Sequence, residues 1–200
     1  MISQENYNKL LEKFQDVASW AIWMPADAGH PKSNVGDMGI FNDSDLLKKI
    51  NTGFVLVGLN RSGVHNKYLD YSRPWFDFHS ASPRGQEYKL RYALSDTPLW
   101  GSYITDIIKH YPEVDSGKVI KYVKNNPDVL QNNINAFKEE LYILGGHPVL
   151  VALGGATYDF LSKTLGNEYK IVKIKHFAYR IGKEKYREEL IEALSHESIW

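Results

Sequence analysis

The chain has 200 residues, 24 basic and 24 acidic, so its formal net charge is zero, and 43% of its residues are hydrophobic. That is enough for one domain with a sizeable core, in an ordinary globular composition. The absence of cysteine excludes disulfides, cysteine nucleophiles, zinc sites of the cysteine type and cysteine-ligated iron–sulfur clusters.

A dedicated DNA-coating protein is strongly basic, so zero net charge predicts weak non-specific binding at physiological salt and leaves room only for a local basic face. Residues 1–8 are polar and lack the apolar run of a signal peptide. No stretch approaches the roughly 20 apolar residues of a membrane span. A cytoplasmic protein with no membrane partner is the expectation. Aromatics are abundant, with 13 Tyr and 5 Trp, which suits stacking surfaces as well as core.

In chain order, Tyr7, Leu10, Leu11, Phe14, Val17 and Ala18 recur at helical spacing, with Ser3 as N-cap. This predicts a helix running toward Trp23 and stopping before Pro25. Residues 26–42 are rich in Gly, Pro, Asp and Asn and read as a loop. A short helix is expected over about 44–50. The run from Gly53 to Asn60 is apolar and bounded by turn residues, as in a strand buried on both faces of a parallel sheet. A long polar and aromatic loop follows to Arg84, then a helix over 85–94.

Ser102 to Ile108 is β-rich and gives the second strand. Helices are expected near 116–124 and 128–144, the latter with Pro127 at its start and Gly145-Gly146 at its end. Pro148 to Leu153 is the third strand, Gly154-Gly155 opens a helix through Leu165, and Tyr169 to Ile174 is the fourth. A final helix covers 183–194. Strands alternating with helices predict one three-layer α/β/α domain over 1–200 with a central four-stranded parallel sheet, residues 1–52 forming an extension. Ligands bind beyond the C-terminal strand ends of such sheets. The informative residues therefore fall after each strand: Asn60 to Gly63, Asp106 to His110, Gly154-Gly155, and Lys175 to Arg180.

Those segments carry a resemblance. Gly58-Leu-Asn-Arg-Ser-Gly63 resembles the Gly-x-Asn-Pro-Gly motif of the mismatch-specific and single-strand-selective branches of the uracil-DNA glycosylase-like superfamily. Phe76-Asp-Phe-His-Ser80 follows where that family places its base-stacking Phe. Tyr103 to Lys109 resembles its second-strand motif, Ala152-Leu-Gly-Gly-Ala156 its third-strand segment, and Lys175-His176 stands where its His-Pro-Ser motif falls. The resemblance covers residues 53–194. Three motif departures stand out: Arg61 replaces the motif proline, Asp106 stands where the family has a uracil-reading Asn, and Phe177-Ala178 replaces Pro-Ser.

The resemblance implies a DNA N-glycosylase cleaving the base–sugar bond of a damaged or deaminated base, without cofactor or metal. Such chemistry needs a placed water, a stabilised leaving anion and a flipped base. The implied roles are Asn60 positioning water, His176 stabilising the base anion, and Asp106 reading the base. Phe76 or Phe78 stacks on it, with His79, Gly58, Ser62 and Gly63 around it. Tyr179 and Arg180 would enter the duplex, while Arg61, Lys175, Gly154 and Gly155 would face DNA.

Asp106 leaves three alternatives open, because an ionised carboxylate only accepts hydrogen bonds whereas an amide also donates. The substrate carries an exocyclic amine or is a base such as hypoxanthine. Or Asp106 is protonated by burial and still reads uracil. Or Asp106 is a general base and Asn60 the reader. The partner is DNA, single- or double-stranded, or a nucleobase or nucleotide, and a monomer is expected. The rival reading is a non-catalytic nucleotide or nucleic-acid binding module on the same fold. A third is hydrolysis of a free nucleoside or nucleotide. Histidines at 30, 65, 79, 110, 147, 176 and 196 have no metal spacing, and no Gly-x-Ser-x-Gly elbow is present.

Overall fold

A computed structural model describes residues 2–64 and 66–200. Its elements are α1 (Gln4–Phe14), β1 (Ala18–Trp20), α2 (Leu46–Lys49), β2 (Asn51–Asn60), α3 (Glu87–Leu94), β3 (Ser102–Ile108), α4 (Ser116–Asn125), α5 (Pro127–Leu144), β4 (Val149–Leu153), α6 (Gly155–Leu165), β5 (Ile171–Ile174) and α7 (Lys183–His196). A 3-10 turn at Met38–Asn42 interrupts the first long loop.

The sheet has five strands in the order β1-β3-β2-β4-β5, not four. β2, β3, β4 and β5 run parallel, and β1 pairs antiparallel with the outer side of β3. The extra strand corrects the expectation of one helix reaching Trp23. α1 stops at Phe14, and every residue from Val17 to Trp23 is buried. A surface helix exposes part of each turn, whereas unbroken burial is how a short strand between packed layers behaves.

Residue alternation along the strands sorts the core into two layers. Val55, Val57, Tyr103, Leu150 and Ala152 face a cluster built with α1, α4, α5 and α6. Leu56, Ile104, Val151, Leu153 and Ile174 face a second cluster built with α3 and α7. Helices thus cover both faces of a mostly parallel sheet. The chain leaves β2 for β3 on one side and crosses to β4 on the other. This reversal opens a crevice at the C-terminal strand ends.

Much of the aromatic content is core. Tyr7, Trp20, Trp75 and Tyr103 form one ring cluster with centroid separations of 5.1–6.4 Å, and Trp75 Nε1 donates to Tyr7 Oη at 2.8 Å. That cluster ties α1 and β1 to the loop after β2. No helix among the described residues is long and apolar enough to cross a membrane.

Candidate functional site

A cavity of about 270 Å³ opens at the C-terminal ends of β2, β3 and β5, on the α3/α7 side of the sheet. Asn60, Phe78, Asp106 and His176 line it, each contributed by a different segment of chain. This is just under the volume range of ligand sites and suits a single heterocycle.

Asp106 forms the floor. It sits on the last part of β3, directly beside Gly58 in the β2–β3 ladder. It is 5% exposed. Its backbone carbonyl accepts from Lys109 Nζ at 2.9 Å, but its carboxyl oxygens accept no hydrogen bond from any described residue. Burial, reinforced by the charge of Asp77, pushes the Asp106 carboxyl well above the usual carboxylate range. That shift favours the neutral form, and a protonated carboxyl both donates and accepts.

Asp77 has the partner that Asp106 lacks, although burial raises its carboxyl too and Arg61 only opposes the shift. Arg61 Nε and Nη2 reach its Oδ2 at 3.0 and 2.7 Å, and Asp77 Oδ1 accepts the Phe78 N–H at 3.1 Å. Arg61 Nη2 also donates to the Asp16 carbonyl at 2.5 Å, and its guanidinium lies 5.4 Å from the Phe76 ring. Arg61 therefore braces the loop internally through Nε and Nη2, with its side chain 25% exposed. The Asp77–Arg61 pair also places Phe78, whose backbone takes a left-handed φ of 61° that non-glycine residues reach only at a cost.

Asn60 closes β2. Its Nδ2 faces the carbonyls of Arg61, Tyr111 and Glu113 at 2.8–3.0 Å, which fastens the β2 and β3 exit loops together. Its Oδ1 takes no hydrogen bond from a described residue and remains as an acceptor.

His176 follows β5. Its Nδ1 accepts the Ala178 N–H at 3.1 Å, which fixes the ring proton on Nε2. Burial holds the imidazole down to about 4, so at neutral pH it is an uncharged N–H donor. Gly154 explains how the ring is seated: a Cβ there would lie 3.4 Å from His176 Cβ, and φ is +97°. Gly154 and Gly155 stand at the start of α6 behind His176, outside the cavity wall.

Other expected site residues separate. Ser62 lines the cavity, and Gly63 adopts φ +76° against Pro112. Phe76 is buried against Tyr71, ring centroids 4.7 Å apart, and does not line the cavity. His79 is buried between Trp23 and Phe41 with Nε2 3.3 Å from the Trp20 carbonyl, and burial lowers it to about 4. Lys175 pairs with Glu189 at 2.8 Å and lies over the Tyr179 ring. Tyr179 is 57% exposed and Arg180 is also exposed, on the loop beside the cavity mouth. His65 lies outside the described residues, among which no metal-holding group of His, Asp or Glu occurs.

Three residues on α3 had no counterpart among the sequence-based expectations. Lys89, 4% exposed, donates to the Tyr179 carbonyl at 2.7 Å and pins the His176 loop. Arg91 donates to the carbonyls of Met24 and Pro31 at 2.8 and 2.9 Å and pins the first long loop. Glu87 lines the cavity at the start of the helix. Their signal was the charge at apolar helix positions, which reads as an ordinary solvated face until the partners are known.

No known protein-family model matches the chain, and no curated protein does.

Proposed function

We propose that the cavity holds a single nucleobase and that the protein is an N-glycosylase, hydrolysing the base–sugar bond of a damaged or deaminated base on a uracil-DNA glycosylase-like fold. The observation that carries this reading is the buried, hydrogen-bond-free carboxyl of Asp106 in one cavity with Phe78 and a neutral His176.

The chemistry divides among these groups. The Asp106 carboxyl offers one donor and one acceptor side by side. It pairs with a base edge carrying a carbonyl and a ring N–H, as an amide would. This favours the second of the three alternatives for Asp106, the buried protonated acid. Phe78 stacks on the base. His176 Nε2–H donates to the charge that develops on the base as the bond breaks, as a preorganised dipole. Asn60 Oδ1 accepts from a water and aligns it toward the sugar carbon.

One observation favours binding without turnover. The Asn60 amide nitrogen is committed to three carbonyls, so the side chain can orient water only through Oδ1. The test is base release from labelled oligonucleotides containing uracil, hypoxanthine or xanthine, single- and double-stranded, with the free nucleosides alongside. Release supports the glycosylase. Base binding without release by folded protein supports the binding module. Release from nucleosides alone moves the substrate from DNA to the free nucleoside.

A further inference from the structure

His176 and Asp106 leave one chemical task unfilled. A neutral imidazole N–H stabilises a developing anion but is far too weak an acid to surrender its proton near neutrality. Burial shifts the Asp106 carboxyl well above its ordinary range, which makes it a reluctant proton donor too. A departing base leaves more readily if something protonates it, and that requires an acid matched to the working pH.

Glu87 fits. It lines the same cavity at the first turn of α3. Its Oε2 is buried and makes no hydrogen bond among the described residues. Buried polar atoms are normally partnered, so this orphan marks Glu87 as a carboxyl whose Oε2 is held in the cavity wall without a structural partner. Gly85 makes room for it, since a Cβ there would come within 2.6 Å of Glu87 Oε2. The cations around it are engaged elsewhere: Arg61 with Asp77, Lys89 with the Tyr179 carbonyl, Arg91 with Met24 and Pro31. On α7, which packs on α3, Lys183 lies over the Tyr92 ring and Arg187 donates to carbonyls at the far end of α3. Burial, with the nearby charge of Asp77, raises the Glu87 carboxyl to about 7, whereas its own N–H and that of Gln86 oppose the shift.

We propose that Glu87 is the general acid of base release, passing its proton to the departing base. This rests on the glycosylase reading above. The bond between the sugar C1′ and the base nitrogen breaks, and its electron pair goes to the base. The Glu87 O–H proton moves to a heteroatom of the base. The water held by Asn60 forms the new C1′–O bond and loses a proton to solvent, from which the Glu87 carboxylate is reprotonated. Base and sugar hydroxyl are the products, and no oxidant or second substrate is needed.

The test is the rate of base release between pH 5 and 9 by wild type, Glu87→Gln and Asp106→Asn, with substrate affinity measured in parallel. The expected wild-type rate falls as pH rises through about 7. Glu87→Gln is expected to be slower by about 10²–10³-fold, with that falling limb gone and affinity little changed. The limb is expected to persist in Asp106→Asn. A wild-type profile flat from pH 6 to 9 would overturn the proposal without recourse to any variant. So would Glu87→Gln releasing base at the wild-type rate, and that result would leave the glycosylase reading standing. No release by wild type would overturn that reading and this step with it.

Discussion

Gly58 and Asp106 are direct partners across the parallel β2–β3 ladder, and a Cβ on residue 58 would stand 2.1 Å from Asp106 Oδ1. The glycine is what lets the acid lie flat on the sheet beneath the cavity. Phe78 Cζ would be 3.9 Å from the same Cβ, so the one missing side chain accommodates both the reader and the stacking ring.

Gly58→Ala is therefore expected to displace Asp106. The overpacking should cost about 1–3 kcal/mol, measurable by urea unfolding, and base binding should fall at least tenfold. Unchanged stability and binding would mean that the acid does not occupy this position.

Asp106→Asn should be more stable than wild type at pH 7 and nearly equal to it at pH 4. The folded-state carboxyl is raised, so the unfolded chain gains from ionisation as soon as pH exceeds the ordinary value of about 4. Wild-type stability is lost with rising pH from there up to the folded-state value, and the amide has no such loss. Urea unfolding at the two pH values checks the sign. A variant less stable than wild type at pH 7 would show that Asp106 is ionised and paired in the fold.

Arg61→Ala should destabilise by about 3 kcal/mol, because it leaves Asp77 buried with no counter-charge. Arg61→Ala with Asp77→Asn should recover part of that loss. A double-mutant cycle reads the coupling directly. Loss confined to DNA affinity, with stability intact, would return Arg61 to a DNA-facing role.

His176 should stay neutral, protonated on Nε2, from pH 8 down to about 5, because burial holds it to about 4. Nitrogen NMR of the imidazole follows this, and base release should show no histidine limb near pH 6.5. A midpoint close to 6.5 would place the ring in water.

The β2 to β5 alternation was legible because the apolar, glycine-bounded runs of β2 and β4 and the β-branched runs of β3 and β5 have few other solutions. Residues at the ends of β2, β3 and β5 fell around one cavity for the same topological reason, while Gly154 and Gly155 after β4 lie outside it. β1 was hidden because Val17 and Ala18 continue the helical spacing of α1, and only their burial on all sides separates strand from helix. His79 and Phe76 were legible as aromatic neighbours of Phe78, but the left-handed turns at Trp75 and Phe78 send them into the core. Lys89 and Glu87 were invisible as site residues. Charge in a helix reads as surface unless the loop that covers it is known.

The most direct measurement is base release at pH 7 by wild type and Asp106→Asn from the same uracil, hypoxanthine and xanthine oligonucleotides. If a neutral Asp106 reads the base as an amide would, wild type releases a carbonyl-bearing base and the Asn variant releases the same one. No release by folded wild type, or a switch of substrate in the Asn variant, would contradict the account.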